Sequence, residues 1–429
     1  MVTIARARQA DLESWETGLR AAVLAAGAKA LAALLEGIGA GRRECPVVCA
    51  CGLHMESRGL REKLLMTILG MVPYRRSMYQ CPGCGKTCFP GDEELDVAGT
   101  TRSPGLRRMM ARAGSQSTFK EGREDLRVYA GIEVSAKDVE RVAENIGQEM
   151  ETWSNEEQKE VLAQEPSSGA KTIPIMYVCY DGTGVPMTRT ELAGRKGKQP
   201  DGSALTREVK LGCVFTQTTT DENGFAVRDP ESTSFVGAIE SSDKFGWRIY
   251  AEAVRRGLYS AKQTVILGDA AEWIHSIKEE HFHDAIQIVD LYHAREHVAS
   301  LCKHLFAADE RTVVRHRLRW WTLLDEGKIE KILQQAGQKL PLNSEAREKA
   351  ESKIAFLDKH KEMMRYADFR KRGFFVGSGV MEAGCKTVIG LRMKQSGMEW
   401  SLRGANAIIS LRCVMKSSRL EDYWESRAR

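Results

Sequence analysis

The chain has 429 residues, 42 % of them hydrophobic and 28 % charged, a balance that excludes a disordered or low-complexity polymer. Its length leaves room for several domains and at least one sizeable core. The formal net charge of +5 identifies no partner by itself, but the charge is unevenly spread. Arg102, Arg107, Arg108 and Arg112 fall in a stretch without an acid, and Lys386 to Arg429 carries nine Lys/Arg against four Asp/Glu. Local positive surface of this kind suits a polyanion such as DNA, although it also describes an ordinary solvated face.

Residues 1–44 read as a helical segment ending near Gly41. Its Ala-rich part, residues 21–40, is interrupted by Lys29 and Glu36. A bilayer span wants about 20 nearly uncharged residues, so the expectation is an amphipathic helix, no membrane partner and a cytoplasmic protein.

Six of the eleven cysteines fall in 45–92. Cys49-x-Cys51 and Cys81-x-x-Cys84 each precede a glycine, and paired thiolates far apart in sequence predict a tetrahedral Zn²⁺ site of zinc-ribbon type. The ribbon strands are expected at Ile68–Met71 and Arg75–Tyr79. Cys45 or Cys88 can substitute as a ligand at this stage. Cys179, Cys213, Cys302, Cys385 and Cys413 sit on apolar faces and read as core.

Residues 93–165 predict a helical module. Phe119–Tyr129 and Ala136–Met150 bracket a break at Gly131, with Ser135 as cap of the second helix, a pattern resembling a helix-turn-helix. Arg107 and Arg108 are its candidate DNA contacts. The polar stretch 151–171 reads as a linker.

A regular alternation follows. Ile173–Tyr180, Val209–Gln217 and Ser234–Ile239 predict three strands, Phe245–Gly257 a helix, Thr264–Leu267 a strand, Ala270–Glu280 a helix and Ile286–Leu291 a last strand. This order, three strands, helix, strand, helix, strand, is that of the ribonuclease-H fold, with a first core part at 166–293. The chain then reads as helical to about Arg372, too long for a connection, so 294–373 is expected as an inserted helical domain. Val380–Lys394 would complete the core within 374–429. The fold class expected is thus a multidomain α+β chain: a mixed-sheet core with a helical insertion, a zinc ribbon and a helical DNA-binding module.

Asp181 and Asp269 each follow a predicted strand, and Glu382 stands on the first turn of the late helix. Three converging carboxylates repel one another unless a cation neutralises them. Mg²⁺, or Mn²⁺, takes oxygen ligands and substrate phosphates together, so these acids form the candidate catalytic set.

At these residues the chain resembles bacterial insertion-sequence transposases of the DDE class, most closely the ISKra type. The likeness lies in YDGTGVPM (Tyr180–Met187), LGDAAEWI (Leu267–Ile274) and GSGVMEAGCKTVIGLRMKQSGMEW (Gly377–Trp400). It implies catalytic, metal-binding roles for Asp181, Asp269 and Glu382, and favours Cys49, Cys51, Cys81 and Cys84 as the zinc set. Asp290-x-x-His293 resembles a signature that follows the second aspartate in related transposases, where the histidine orients DNA; helix capping is the plainer alternative. Lys386, Arg392 and Lys394 near Glu382 become candidate DNA contacts. Trp320 and Trp321 read as packing in preference to base stacking; for Trp400 the two readings stay level.

The resemblance implies cleavage at transposon ends and strand transfer into target DNA. The partners would be terminal inverted repeats and target DNA, and the protein a homodimer or higher, nucleoid-associated in a bacterial cytoplasm. The alternatives are a domesticated zinc-ribbon DNA-binding regulator without catalysis and a structure-selective nuclease with the same core.

Overall fold

In a computed structural model, residues 11–38, 40–164, 172–197, 199–306 and 309–427 are described. They fall into two compact units, Met1–Ile146 and Gly147–Arg429.

The first unit opens with α1 (Leu12–Ile38), whose Ala28, Leu31, Ala32 and Leu35 pack on a small core of Leu65, Val72, Tyr74 and Val97. α1 is long and apolar enough, by length and composition, to cross a membrane. One face of α1 covers a hairpin of β1 (Glu56–Thr67) and β2 (Gly70–Gln80), which pair antiparallel from Glu56↔Gln80 to Thr67↔Gly70. The expected ribbon strand at Ile68–Met71 is therefore the turn, and the first strand runs earlier. Gly70 at φ +118° supplies the turn conformation that other residues resist. β3 (Thr87–Cys88) closes the sheet beside β2.

After α2 (Pro90–Glu94), α3 (Pro104–Gln116) starts on Ser103, whose side chain accepts the Leu106 N–H, with Pro104 in the first turn. α4 (Phe119–Asp125) starts on a capping box: Thr118 accepts the Glu121 N–H while Glu121 accepts the Thr118 N–H. It runs into a π turn, Leu126–Ala130, and stops at Gly131, φ +70°. α5 (Ala136–Ala163) follows with Ser135 accepting the Asp138 N–H, as expected. The polar stretch read as a linker from 151 is helix as far as Ala163. Its charges are compatible with helix because Glu, Gln and Lys are good helix formers; polarity alone does not make a linker. The remainder of that stretch, 165–171, lies outside the described residues.

The second unit is built on a five-stranded sheet. Its strands are β4 (Ile173–Pro186), β5 (Thr206–Gln217), β8 (Ser234–Ala238), β9 (Ala261–Gly268) and β10 (Ile286–Val289), in spatial order β10-β9-β4-β5-β8. β4, β5 and β8 pair antiparallel; β9 and β10 run parallel to β4. A short α6 (Arg189–Leu192) and a two-stranded excursion, β6 (Thr219–Thr220) with β7 (Ala226–Val227), decorate the connections.

Alternation along β4 decides what lies on each face. Met176, Val178 and Tyr180 join Val214 and Ile266 beneath α7 (Ser242–Arg255), through Phe245 and Ile249, and α8 (Glu272–His281), through Ile274 and Ile277. The element order is the expected three strands, helix, strand, helix, strand. Among the described residues, helices follow with no strand between them: α9 (Leu291–Leu305), α10 (Glu310–Asp325), α11 (Ile329–Gly337), α12 (Ser344–Lys359) and α13 (Tyr366–Lys371).

The chain returns to the sheet through a buried polar relay. Tyr177 Oη donates to Gln217 Oε1 at 2.7 Å and accepts the Phe375 N–H at 3.1 Å, while Gln217 Nε2 donates to Gly373 O at 2.8 Å. Tyr177 also stacks on Phe215 with centroids 4.8 Å apart. The sequence then forms α14 (Gly379–Gly384), a π turn at Cys385–Gly390, α15 (Leu391–Met393), α16 (Leu402–Lys416) and α17 (Leu420–Arg427). Of these, α14 lies on β4 and β5 and α16 on β8, where Ile409 lies against Gly237 and Asn406 Oδ1 accepts the Ile239 N–H at 2.8 Å.

Candidate metal centres

Each half of the cysteine group is held by its own tight turn. Cys49 O accepts the Gly52 N–H at 2.8 Å, and Cys81 O accepts the Gly85 N–H at 3.0 Å. Gly52 and Gly85 both have φ in the left-handed region, +89° and +72°, so the glycines after each pair are required by the backbone. The hairpin brings the turns together. Sγ of Cys49 lies 3.5 Å from that of Cys84, and Sγ of Cys51 lies 3.4 Å from that of Cys81. All four sulfurs are within 4.8 Å of one another, the spacing of tetrahedral thiolate ligands around one ion.

The Cys84 and Gly83 N–H groups point at Cys81 and draw its thiol down from 9.0 to about 6, so a thiolate ligand is available near neutral pH. This group could hold zinc, and Cys45 and Cys88 stand outside it. Cys45 is exposed and Cys88 lies in β3.

The acidic residues are gathered by the sheet. β4 and β9 pair in parallel register as far as Val178↔Ile266, so Asp181 and Asp269 fall three residues beyond that pair on adjacent strands. Asp181 does not end its strand: β4 stays paired to β5 as far as Pro186↔Thr206, and only its β9 partner has finished. Gly182 and Gly184 are strand residues. They leave room for side chains of β5, since a Cβ at Gly182 would lie 2.5 Å from Glu208 Oε1 and one at Gly184 2.8 Å from Thr206 Oγ1.

Because Tyr180 faces α7 and α8, Asp181 faces the opposite side, where α14 packs. Burial raises the Asp181 carboxyl above its ordinary range, and the neighbouring Asp269 charge pushes the same way; the Gly182 N–H, 2.6 Å from Oδ1, opposes both. Asp269 Oδ1 accepts the Ala271 N–H at 2.9 Å, which fixes the turn into α8.

Glu382 lies on the first turn of α14 and is exposed. One turn later Cys385 Sγ stands 3.9 Å from Asp181 Oδ2, so the helix carrying Glu382 touches the strand carrying Asp181. Burial and the Asp181 charge push that thiol up to about 12. Cys385 was expected as plain core, and its contact with Asp181 had no sequence signal. Among the described residues only the cysteines bring three or more ligand atoms within 4.8 Å of one another; Asp181, Asp269 and Glu382 are not drawn together that closely.

The remaining candidates divide. Lys394 Nζ donates to Thr183 Oγ1, placing an ammonium two residues along β4 from Asp181. Lys386 is exposed on the π turn after Glu382. Arg392, in contrast, is fully buried, its guanidinium over the Trp400 ring at 5.0 Å, so it holds protein in place and cannot reach a phosphate from this position. Trp400 is itself buried and donates to Met393 O at 3.0 Å. Arg107 is buried and ion-paired with Asp96 at 2.6 Å, a structural role in the first unit, while Arg108 is exposed. Trp320 is buried and donates to Gln335 Oε1 at 2.9 Å, and Trp321 donates to Arg295 O at 3.0 Å, so both pack the helical segment.

Asp290 caps α9: its Oδ1 accepts the His293 N–H at 2.8 Å. The His293 ring lies 4.8 Å from His297 and 6.2 Å from Phe356 on α12. In this arrangement the Asp290-x-x-His293 spacing is used for capping, and the ring packs toward the helical segment.

No protein family matches the chain, and no curated protein matches it. Among solved structures, a Drosophila P element transposase strand transfer complex is similar at 11 % identity, over 78 % of this chain and 84 % of that one, with a TM-score of 0.25. A likeness at that score carries no argument.

Proposed function

We propose that the chain is a DNA transposase that cleaves DNA at the ends of a mobile element and joins 3′-hydroxyls to target DNA. One observation carries this reading: Asp181 and Asp269 sit side by side on the neighbouring inner strands β4 and β9 of a mixed sheet whose strand order, third-second-first-fourth-fifth along the fold reversed to β10-β9-β4-β5-β8, is that of ribonuclease-H-like nucleases. The late helix that bears Glu382 leans on the same face.

Two adjacent carboxylates, one with its proton affinity raised by burial and by the other, are a site that a divalent cation would relieve. Asp181, Asp269 and Glu382 would hold Mg²⁺ or Mn²⁺. When bound, such ions activate a water or 3′-hydroxyl nucleophile and stabilise the departing 3′-oxygen. The protein's own part is positional. The sheet fixes the two aspartates, Lys394 and Lys386 attract the phosphate backbone, and Glu382 approaches on α14 as DNA and cations arrive. The cysteine group would hold Zn²⁺ and order the hairpin of the first unit, which with the helices around Gly131 would bind end sequences, mostly through phosphates. A homodimer or larger assembly would hold two ends together, in a bacterial cytoplasm at the nucleoid.

A second reading, a zinc-dependent DNA-binding regulator without catalysis, is favoured because, among the described residues, Asp181, Asp269 and Glu382 do not form a close ligand group. Incubating the protein with DNA carrying the element's ends and Mg²⁺ separates the two. The transposase reading expects end cleavage and joined products. Binding without cleavage in either Mg²⁺ or Mn²⁺ supports the regulator, and cleavage without joining from precut ends supports a nuclease.

A further inference from the structure

Asp290 is only 7 % exposed, and both of its carboxylate oxygens are committed to backbone donors far apart in sequence. Oδ1 accepts the His293 N–H at 2.8 Å, where the helical segment leaves the sheet. Oδ2 accepts the Ser378 N–H at 2.5 Å, where the chain has come back. The two donors bracket α9 to α13. Three further bonds meet at this point. The Asp290 N–H donates to Gly268 O at 2.7 Å, directly before Asp269, and the Leu291 N–H donates to Val376 O at 2.9 Å. Tyr366 Oη, on α13, donates to Val289 O at 2.9 Å.

From Ser378 the path to Glu382 is short. Ser378 O accepts the Met381 N–H at 2.7 Å and the Glu382 N–H at 3.0 Å, so Ser378 sets the first turn of α14. Gly377 permits the close approach: a Cβ there would lie 3.2 Å from the Tyr292 ring and 3.9 Å from Asp290 Oδ2.

We propose that Asp290 is a positioning residue, a carboxylate clamp that closes the base of the helical segment and sets where Glu382 stands relative to Asp269. The inference rests on the transposase reading for its functional half. The chemistry demands a carboxylate. Two acceptor oxygens, each taking one backbone N–H, form charge-assisted bonds in a buried place, and no neutral side chain of the same size offers two acceptors without a donor. A capping role alone would use one oxygen; asparagine and serine cap equally well. The bond to Ser378 goes beyond capping. It makes α14 depend on the end of β10, which the Asp290 N–H ties to Gly268 O beside the second aspartate on the neighbouring β9, so that the arms of the candidate site are linked through backbone.

Two variants of the full-length protein test this. Asp290→Asn keeps one acceptor for the α9 cap and turns an amide donor toward the Ser378 N–H. Ser378→Pro leaves Asp290 intact and removes the donor. Hydrogen exchange is expected to show faster exchange at 377–384 in both, with α9 amides protected as in the wild type. In cleavage of end-bearing DNA, both variants are expected to need about tenfold more Mg²⁺ for half-maximal rate, the loss typical of removing an outer partner of a metal ligand. DNA binding should stay unchanged. Wild-type exchange at 377–384 together with a wild-type Mg²⁺ requirement would overturn the proposal. So would uniform loss of protection through α9 with a matching loss of DNA binding, which marks a general folding role. A wild-type protein that never cleaves would overturn the functional reading instead, and the exchange data would still decide the clamp.

Discussion

Cys51 and Cys81 are 30 residues apart, yet their sulfurs and those of Cys49 and Cys84 already stand at ligand spacing. Asp181 and Asp269 also come together from distant sequence, but with Glu382 they do not form a group as close as the four sulfurs. The difference lies in what fixes the ligands. Each thiol pair is set by a turn of a few residues, and one hairpin then joins the turns. The carboxylates are set by three separate elements, two strands and a helix that arrives after a long helical segment. The thiol group is finished by local backbone, whereas the carboxylates depend on contacts made across long separations in sequence. The account expects the first to govern folding and the second to govern chemistry.

The sharpest way to break that contrast is at the cysteines. Cys81→Ser, or treatment with a strong chelator, is expected to remove bound zinc and unfold the hairpin of the first unit. Zinc contributes on the order of 10 kcal/mol to such modules. Stoichiometric metal analysis and circular dichroism read the outcome, and a folded, zinc-free hairpin would end the claim. At the acidic edge the expectation is the reverse. Asp181→Asn should lower end cleavage by roughly 10²–10³-fold, the scale of losing one electrostatic catalytic group, while thermal unfolding and DNA binding hardly change.

Two cationic residues close in sequence sharpen it further. Arg392→Ala should cost about 2–3 kcal/mol of stability because it empties a buried place over Trp400. Lys394→Ala should leave stability within about 0.5 kcal/mol but reduce the salt dependence of DNA binding by about one unit of slope. Equal effects in both assays would erase the distinction drawn between them.

The smallest effect is expected from acid. Burial, with Lys353, His293 and His360 nearby, draws His297 down from 6.5 to about 4. The unfolded chain therefore takes up this proton at higher pH than the folded one. The stability tied to the neutral ring is complete above pH 6.5 and falls as pH drops toward 4. Stability curves between those limits should flatten in His297→Phe, and an unchanged slope would remove His297 as the cause.

Much of the second unit could be read from sequence because its strands are short apolar runs separated by helix-period segments, and burial on both sheet faces leaves that pattern unmixed. A cysteine site could be read from the two pairs, each followed by glycine, but the pattern left Cys45 and Cys88 open as ligands, and the four that group, Cys49, Cys51, Cys81 and Cys84, were favoured by the family resemblance. What could not be read were contacts made by backbone or across long separations. The strand expected to end at Tyr180 runs on past Asp181, because β5 keeps that stretch in the sheet. The β1 strand, charged and exposed over much of its length, has no apolar alternation to reveal it. Arg107 and Arg392 looked like phosphate contacts because sequence gives charge and not burial. The bond between Asp290 and Ser378 left no pattern, because it joins a side chain to a backbone N–H 88 residues away.

The central claim is that Asp181, Asp269 and Glu382 share divalent ions. Anomalous diffraction from crystals of the protein bound to end-bearing DNA and saturated with Mn²⁺ tests it most directly. The account predicts a metal peak between the Asp181 and Asp269 carboxylates, with Glu382 drawn in from α14 to close the coordination. Density held by other residues, or an empty edge at saturating Mn²⁺ with DNA in place, would contradict it.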